Sequence, residues 1–194
     1  MQFPIEIVFK ILTFAPTIYV QDSTGRLMGY VRQKLFALKE NVTVYSDETQ
    51  STEHYRILAD RIIDFNANYH LTAAGGRSIG YVRRQGVRSL WRANYDIYLG
   101  AEKIFEVHEE SVLARFLDSL VGEIPVVGLL TGYFFNPIYN VTRADGSIAL
   151  RVVKRRSFLE SRFIIEQHGK LSPAEQECVM LGLVMMVLLE RARG

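Results

Sequence analysis

Three kinds of residue in this 194-residue chain could do chemistry: a serine between glycines, one cysteine, and basic side chains that close similar stretches. Gly76-Arg77-Ser78-Ile79-Gly80 fits the G-x-S-x-G spacing of a nucleophile elbow. There a strained strand-to-helix turn holds the serine hydroxyl out for attack. That chemistry needs a helix after the serine, whereas Tyr81-Val82 continues as strand-type sequence. The matching position of an earlier stretch is Leu27, which has no nucleophile. A serine hydrolase using Ser78 is therefore carried only as the remote alternative. Cys178 lies inside an apolar run, where a thiol reads as inert core, since a reactive one needs exposure and positive surroundings. A single cysteine also excludes an intrachain disulfide framework or a cysteine metal centre. His54, His70, His108 and His168 show no metal-ligand spacing. No phosphate-cradling or dinucleotide glycine motif is present. The expectation is a non-enzyme with no metal and no cofactor.

What remains are basic groups: Arg32 and Lys34; Arg83, Arg84 and Arg88; Lys154, Arg155 and Arg156. Each group closes a similar stretch. Tyr19-Val20 precedes Gly25 and then Gly29-Tyr30-Val31-Arg32. Tyr69-His70-Leu71 precedes Gly76 and then Gly80-Tyr81-Val82-Arg83-Arg84. Tyr139-Asn140-Val141 precedes Gly146 and then Leu150-Arg151-Val152-Val153-Lys154-Arg155-Arg156. Each reads as a strand, a tight glycine turn and a second strand, that is, a hairpin. Gly25 and Gly76 are 51 residues apart and Gly76 and Gly146 are 70 apart, so the second interval contains an insertion. If equivalent positions gather on one rim of a barrel, these eight basic residues form an anion-binding surface. The competing reading is that they merely solubilise the outside.

The elements that would position them are mostly strands. Phe3, Ile5, Ile7, Phe9 and Ile11 alternate with polar residues. That period of two marks a strand with one buried face. Trp91, Ala93, Tyr95, Ile97 and Leu99 alternate likewise and should face inward. Within the insertion the period turns helical from Glu109 to Leu120, and Ile124 to Tyr139 follows as an apolar run broken by glycine and proline. That pair reads as a helix and loop closing the barrel, or as an apolar loop that meets a bilayer or a partner.

The last stretch, Leu171 to Gly194, carries the clearest punctuation. Ser172 suits an N-cap, Pro173 the first helical position, and Glu175 completes a capping box. Cys178 to Leu189 is apolar at every position, counting Gly182. A helix apolar all round is buried all round. Twelve residues span roughly 18 Å, short of the ~30 Å hydrocarbon core, so burial within the protein is expected. Strands with one buried face, followed by a helix with no wet face, predict a closed antiparallel β-barrel wrapped around a central C-terminal helix, with one shorter helix near 109–120.

At this point the chain resembles the tubby-like C-terminal fold shared by tubby proteins, LURP-one-related proteins and phospholipid scramblases. It looks closest to the bacterial LURP-one-like branch. The likeness rests on a Y-x-V-x-D-x-x-G-x-x-x-G-x-V-R-type pattern around Tyr19 to Arg32, here Tyr19-Val20-Gln21-Asp22 leading to Gly25, Gly29 and Val31-Arg32, on its two echoes, and on the C-terminal apolar helix. It extends over nearly the whole chain, so 1–194 is expected to form one tubby-like domain. Tubby proteins are known as phosphoinositide binders, and none of their binding residues is carried onto this sequence. The resemblance implies a non-enzymatic binding module that contacts anionic phospholipid or a protein partner. A membrane-active, scramblase-like protein is the alternative. A net charge of +2 gives no reason to expect nucleic acid. The first residues have Glu6 and Lys10 inside their apolar run and no small-residue cleavage site, so the expected location is cytoplasmic, peripherally at a membrane.

Overall fold

The computed structural model describes residues 1–10, 15, 17–32, 41–61, 67–85, 94–110, 137–156 and 160–191. Twelve strands follow one another: β1 (Ile5–Lys10), β2 (Thr17–Gln21), β3 (Leu27–Arg32), β4 (Asn41–Tyr45), β5 (Glu53–Ala59), β6 (Asn68–Ala73), β7 (Ser78–Arg84), β8 (Asn94–Leu99), β9 (Glu102–Glu109), β10 (Ile138–Thr142), β11 (Ile148–Arg156) and β12 (Glu160–Gln167). Each pairs antiparallel with the next, and β12 returns to β1 through Ile5↔Ile165 and Ile7↔Phe163, which closes the barrel. Closure leaves no unpaired edge among these strands. The helix α1 spans Pro173–Arg191, the bounds its sequence punctuation predicts.

The three glycine-turn stretches are the hairpins β2–β3, β6–β7 and β10–β11. They share one construction. The amides of Gly25, Gly76 and Gly146 donate to the carbonyls of Asp22, Ala73 and Arg143 at 2.9, 3.0 and 3.0 Å. Each glycine has φ near +80°, the left-handed region where a side chain is strained. The register shifts at Val20/Gln21, Leu71/Thr72 and Val141/Thr142, as a bulge beside such a glycine requires. These hairpins recur every fourth strand, so the repeat seen in the sequence is a four-stranded module used three times around the barrel.

Inward positions follow the period of two. Ile5, Ile7 and Phe9 on β1, Tyr95 and Ile97 on β8, and Phe105 and Val107 on β9 are all buried. The helix they enclose is buried at every position from Cys178 to Leu189. The serine hydroxyl and glutamate of the capping box engage reciprocally: the Glu175 amide donates to Ser172 Oγ at 3.2 Å and the Ser172 amide to Glu175 Oε2 at 2.7 Å. The helix lies nearest β7 and β8. A Cβ on Gly182 would come within 2.9 Å of Ile97 Cδ1 and 3.2 Å of Val82 Cγ2. Arg143 donates to Glu175 at 2.6 Å and Arg77 to Glu177 at 2.8 Å, tying the helix N-terminus to two hairpins. The Tyr95 hydroxyl donates to Glu190 Oε1 at 3.0 Å near the helix C-terminus.

Two expectations about the insertion need adjustment or stay open. Glu109, expected to start a helix, closes β9, because the Phe105/Val107 alternation carries the chain in extended form up to it. The rest of the 109–120 helix, the apolar run up to residue 136, and Trp91 and Ala93 lie outside the described residues. Tyr95 and Ile97 face inward as expected.

Candidate functional site

Strand polarity decides where the basic groups go. Neighbouring strands alternate in direction, so β3, β7 and β11 all end on one rim of the barrel. Arg32, Arg84 and Arg156 are the last residues of those three strands. The glycine turns and the helix N-terminus occupy the opposite end, and Glu190 reaches the basic rim. The last residues of these three strands thus lie at the same end of the barrel. Lys34 and Arg88 lie outside the described residues. The ends of β3, β7 and β11 do not touch one another across the barrel, however. Four strand spacings of about 4.8 Å put successive groups roughly 19 Å apart along the sheet.

Within each group the pleat separates neighbours, because successive side chains point to opposite faces. Arg84 stands opposite Tyr95, which is fully buried, so Arg84 takes the inner register at the mouth of the barrel and is half-buried there. Lys154 stands opposite the buried Phe163, and its ammonium sits 5.4 Å from that ring. Arg32, Arg83 and Arg155 are exposed. Arg155 stands opposite Arg162, which pairs with Glu160 at 2.5 Å and with Glu6 at 3.2 Å.

Arg83 has a setting of its own. Its Nε donates to Asn68 Oδ1 at 2.9 Å. Asn68 in turn donates to Asp60 through its amide at 2.9 Å and its Nδ2 at 2.7 Å. The guanidinium carbon lies 5.8 Å from the Tyr81 ring centre and 5.5 Å from that of Tyr98. Those two rings stack at 4.3 Å with planes 8° apart. Asp60, Asn68, Tyr81 and Tyr98 were not nominated from the sequence. The available signal was alternation on β6, β7 and β8, but the pairing register was needed to read it.

The other candidates fall into structural roles. Ser78 opens β7 in an antiparallel hairpin, and strand rather than helix follows it, so the elbow geometry is not formed. Cys178 is fully buried, its thiol donates to the Tyr98 carbonyl at 3.3 Å, and burial pushes its pKa up to about 12. Among the described residues, no group of three His, Cys, Asp or Glu side chains could hold a metal ion. Surface grooves of ≈ 540 and ≈ 330 Å³ lie beside His108 and Thr142 and beside Lys10 and Tyr19. Neither is lined by any of the nominated basic residues.

A family model described as LURP-one-related matches residues 27–170. That span runs from β3 to just beyond β12 and leaves out β1, β2 and the helix. Among solved structures, an X-ray structure of a protein from Arabidopsis thaliana aligns at a TM-score of 0.50 and 13% identity, over 97% of this chain and 91% of that one. At that identity the likeness is one of fold. No curated protein matches.

Proposed function

The chain belongs to the LURP-one-related family, and from that premise we propose that it is a non-enzymatic tubby-like module that sets its basic rim against an anionic membrane surface. The observation that carries this reading is that β3, β7 and β11 deliver their basic ends to one rim at roughly 19 Å intervals. That spacing exceeds the ~8–10 Å screening length at physiological salt, so the groups act as separate points of charge. Three separated points on a rim define a plane. A flat anionic leaflet can meet all of them at once, whereas a single small anion cannot. At about 1 kcal/mol per basic residue near such a leaflet, Arg32, Arg84, Lys154 and Arg155 together supply about 4 kcal/mol, weak and salt-sensitive.

The scramblase-like alternative is less well supported. No helix among the described residues is long and apolar enough to cross a membrane, and α1 would have to leave the barrel to enter one. The barrel's outward positions carry Glu6, Lys10, Arg56, Glu106, Arg151 and Arg162. A lipid-facing barrel wall is instead an apolar band. The test is co-sedimentation with phosphatidylserine-containing liposomes at low and physiological salt. The parent should bind and weaken as salt rises. The triple variant Arg32→Glu, Lys154→Glu, Arg155→Glu should lose binding with its melting temperature kept within a few degrees. A parent that ignores these liposomes at low salt sinks the membrane reading and leaves a protein partner for the rim.

A further inference from the structure

The outer wall of β5 to β8 carries a second surface that makes no use of the rim. Leu58, His70, Tyr81 and Tyr98 stand opposite one another in sequence of strands: Leu58↔His70, His70↔Tyr81 and Tyr81↔Tyr98. Directly opposed residues share a face, so they form one row across four strands. Leu58 is 38% exposed, one of few large apolar side chains so open among the described residues. The next row toward the rim holds Asp60, Asn68, Arg83, Asp96 and Glu106. Its acids are engaged: Asp60 with Asn68, Asp96 with Lys103 at 2.5 Å and Gln85 at 2.9 Å, Glu106 with Lys103 at 3.2 Å. Among the described residues the terminal nitrogens of Arg83 have no acceptor.

We propose that this wall docks a protein segment presenting one carboxylate beside an aromatic or aliphatic side chain, with Arg83 as the anchor and the Leu58–Tyr98 row as the apolar bed. The guanidinium is held in advance by Asn68 and by the two stacked rings, so little rotamer freedom is lost on binding, and its fork suits a carboxylate held through two N–H groups. Tyrosine and arginine side by side are also the composition of interface hot spots. Charge selects the occupant. Asp60, Asp96 and Glu106 share the Arg83 row, so among the described residues a phosphate dianion or an acidic bilayer laid along this row would meet three carboxylates against two cations, Arg83 and the already paired Lys103. A single carboxylate with an apolar flank meets Arg83 and the ring row and avoids the rest.

The experiment titrates the full chain with acetyl-Phe-Asp-Phe-amide, acetyl-Phe-Asn-Phe-amide and inorganic phosphate, following the Arg83 Nε–H and backbone amides of β6 to β8 by NMR. The Asp peptide should saturate and move the Arg83 Nε–H, and the Asn peptide should bind about tenfold more weakly, the loss of one charge-assisted contact. Arg83→Gln should abolish that preference and Arg83→Lys should restore only part of it, with the melting temperature of both kept within a few degrees of the parent. Equal binding of the two peptides, absence of Asp-peptide binding at millimolar concentration, or tighter binding of phosphate than of the peptide would each overturn the proposal. Failure of the liposome test with a retained Asp preference would remove the rim reading and leave this one standing.

Discussion

Gly29 and Gly80 occupy the same position of two repeats, four residues after the turn glycine, and the third repeat has Leu150 there. By sequence, the two glycines look equally replaceable. In the barrel they are not. A Cβ on Gly80 would sit 1.9 Å from the Tyr98 carbonyl oxygen, 3.0 Å from its carbon and 3.2 Å from Cys178 Sγ. The oxygen is backbone, so it moves only if β7 and β8 part by about an ångström, which weakens the pairing at Gly80↔Leu99. Forcing a methyl into packed surroundings costs about 1–3 kcal/mol, and each hydrogen bond stretched out of range adds about 1 kcal/mol. Gly80→Ala should therefore destabilise by about 3–5 kcal/mol, lowering the melting temperature by roughly 6–20 °C for a chain of this size. At Gly29 the nearest atom is Val44 Cγ1 at 3.0 Å, a side-chain methyl that can turn, with the next atoms at 3.9 Å. The small overlap is offset by the roughly 0.4–1 kcal/mol that Gly→Ala gains by restricting the unfolded chain. Gly29→Ala should stay within about 1 kcal/mol of the parent. Urea denaturation with a common m-value measures both. Equal losses in the two variants, or a Gly80→Ala variant as stable as the parent, would refute the close approach of β7 to β8.

Two further outcomes test the helix and its anchors. The Arg143 guanidinium beside Glu175, with help from Ser172, holds the Glu175 carboxyl below its ordinary 4.5. A depressed folded pKa contributes stability that is complete above the unfolded value and lost as pH falls through the folded one. The stability gap between parent and Glu175→Gln, read from urea midpoints, should be constant from pH 7 to 5 and close progressively below 4.5; a gap that persists unchanged at pH 2 would contradict the ion pair. Ser172→Ala should cost about 1 kcal/mol near neutral pH, as an N-cap does. The Cys178 thiol, buried and with its pKa raised to about 12, should react with a disulfide reagent no faster than the chain unfolds; rapid labelling of the native protein would place the thiol at the surface.

Elements whose signal is local were legible from the chain alone. The bounds of α1 follow from Ser172, Pro173 and Glu175 and from an apolar run without a wet face, all within one segment. The three glycine turns follow from the demand for a left-handed φ at Gly25, Gly76 and Gly146. Even the enclosure of the helix was legible, since an all-apolar helix has to be surrounded. What needed the tertiary structure is what depends on which strand lies beside which. Pairing register splits Arg83 from Arg84, sending one onto the outer wall and the other to the mouth, although they are neighbours in the chain. The same register assembles Leu58, His70, Tyr81 and Tyr98 into a row from residues up to 40 positions apart. Gly80 is obligatory and Gly29 is not because of the Tyr98 carbonyl, which approaches from another strand. Such contacts are set by the pleat and by barrel closure, and no spacing within a single stretch encodes them.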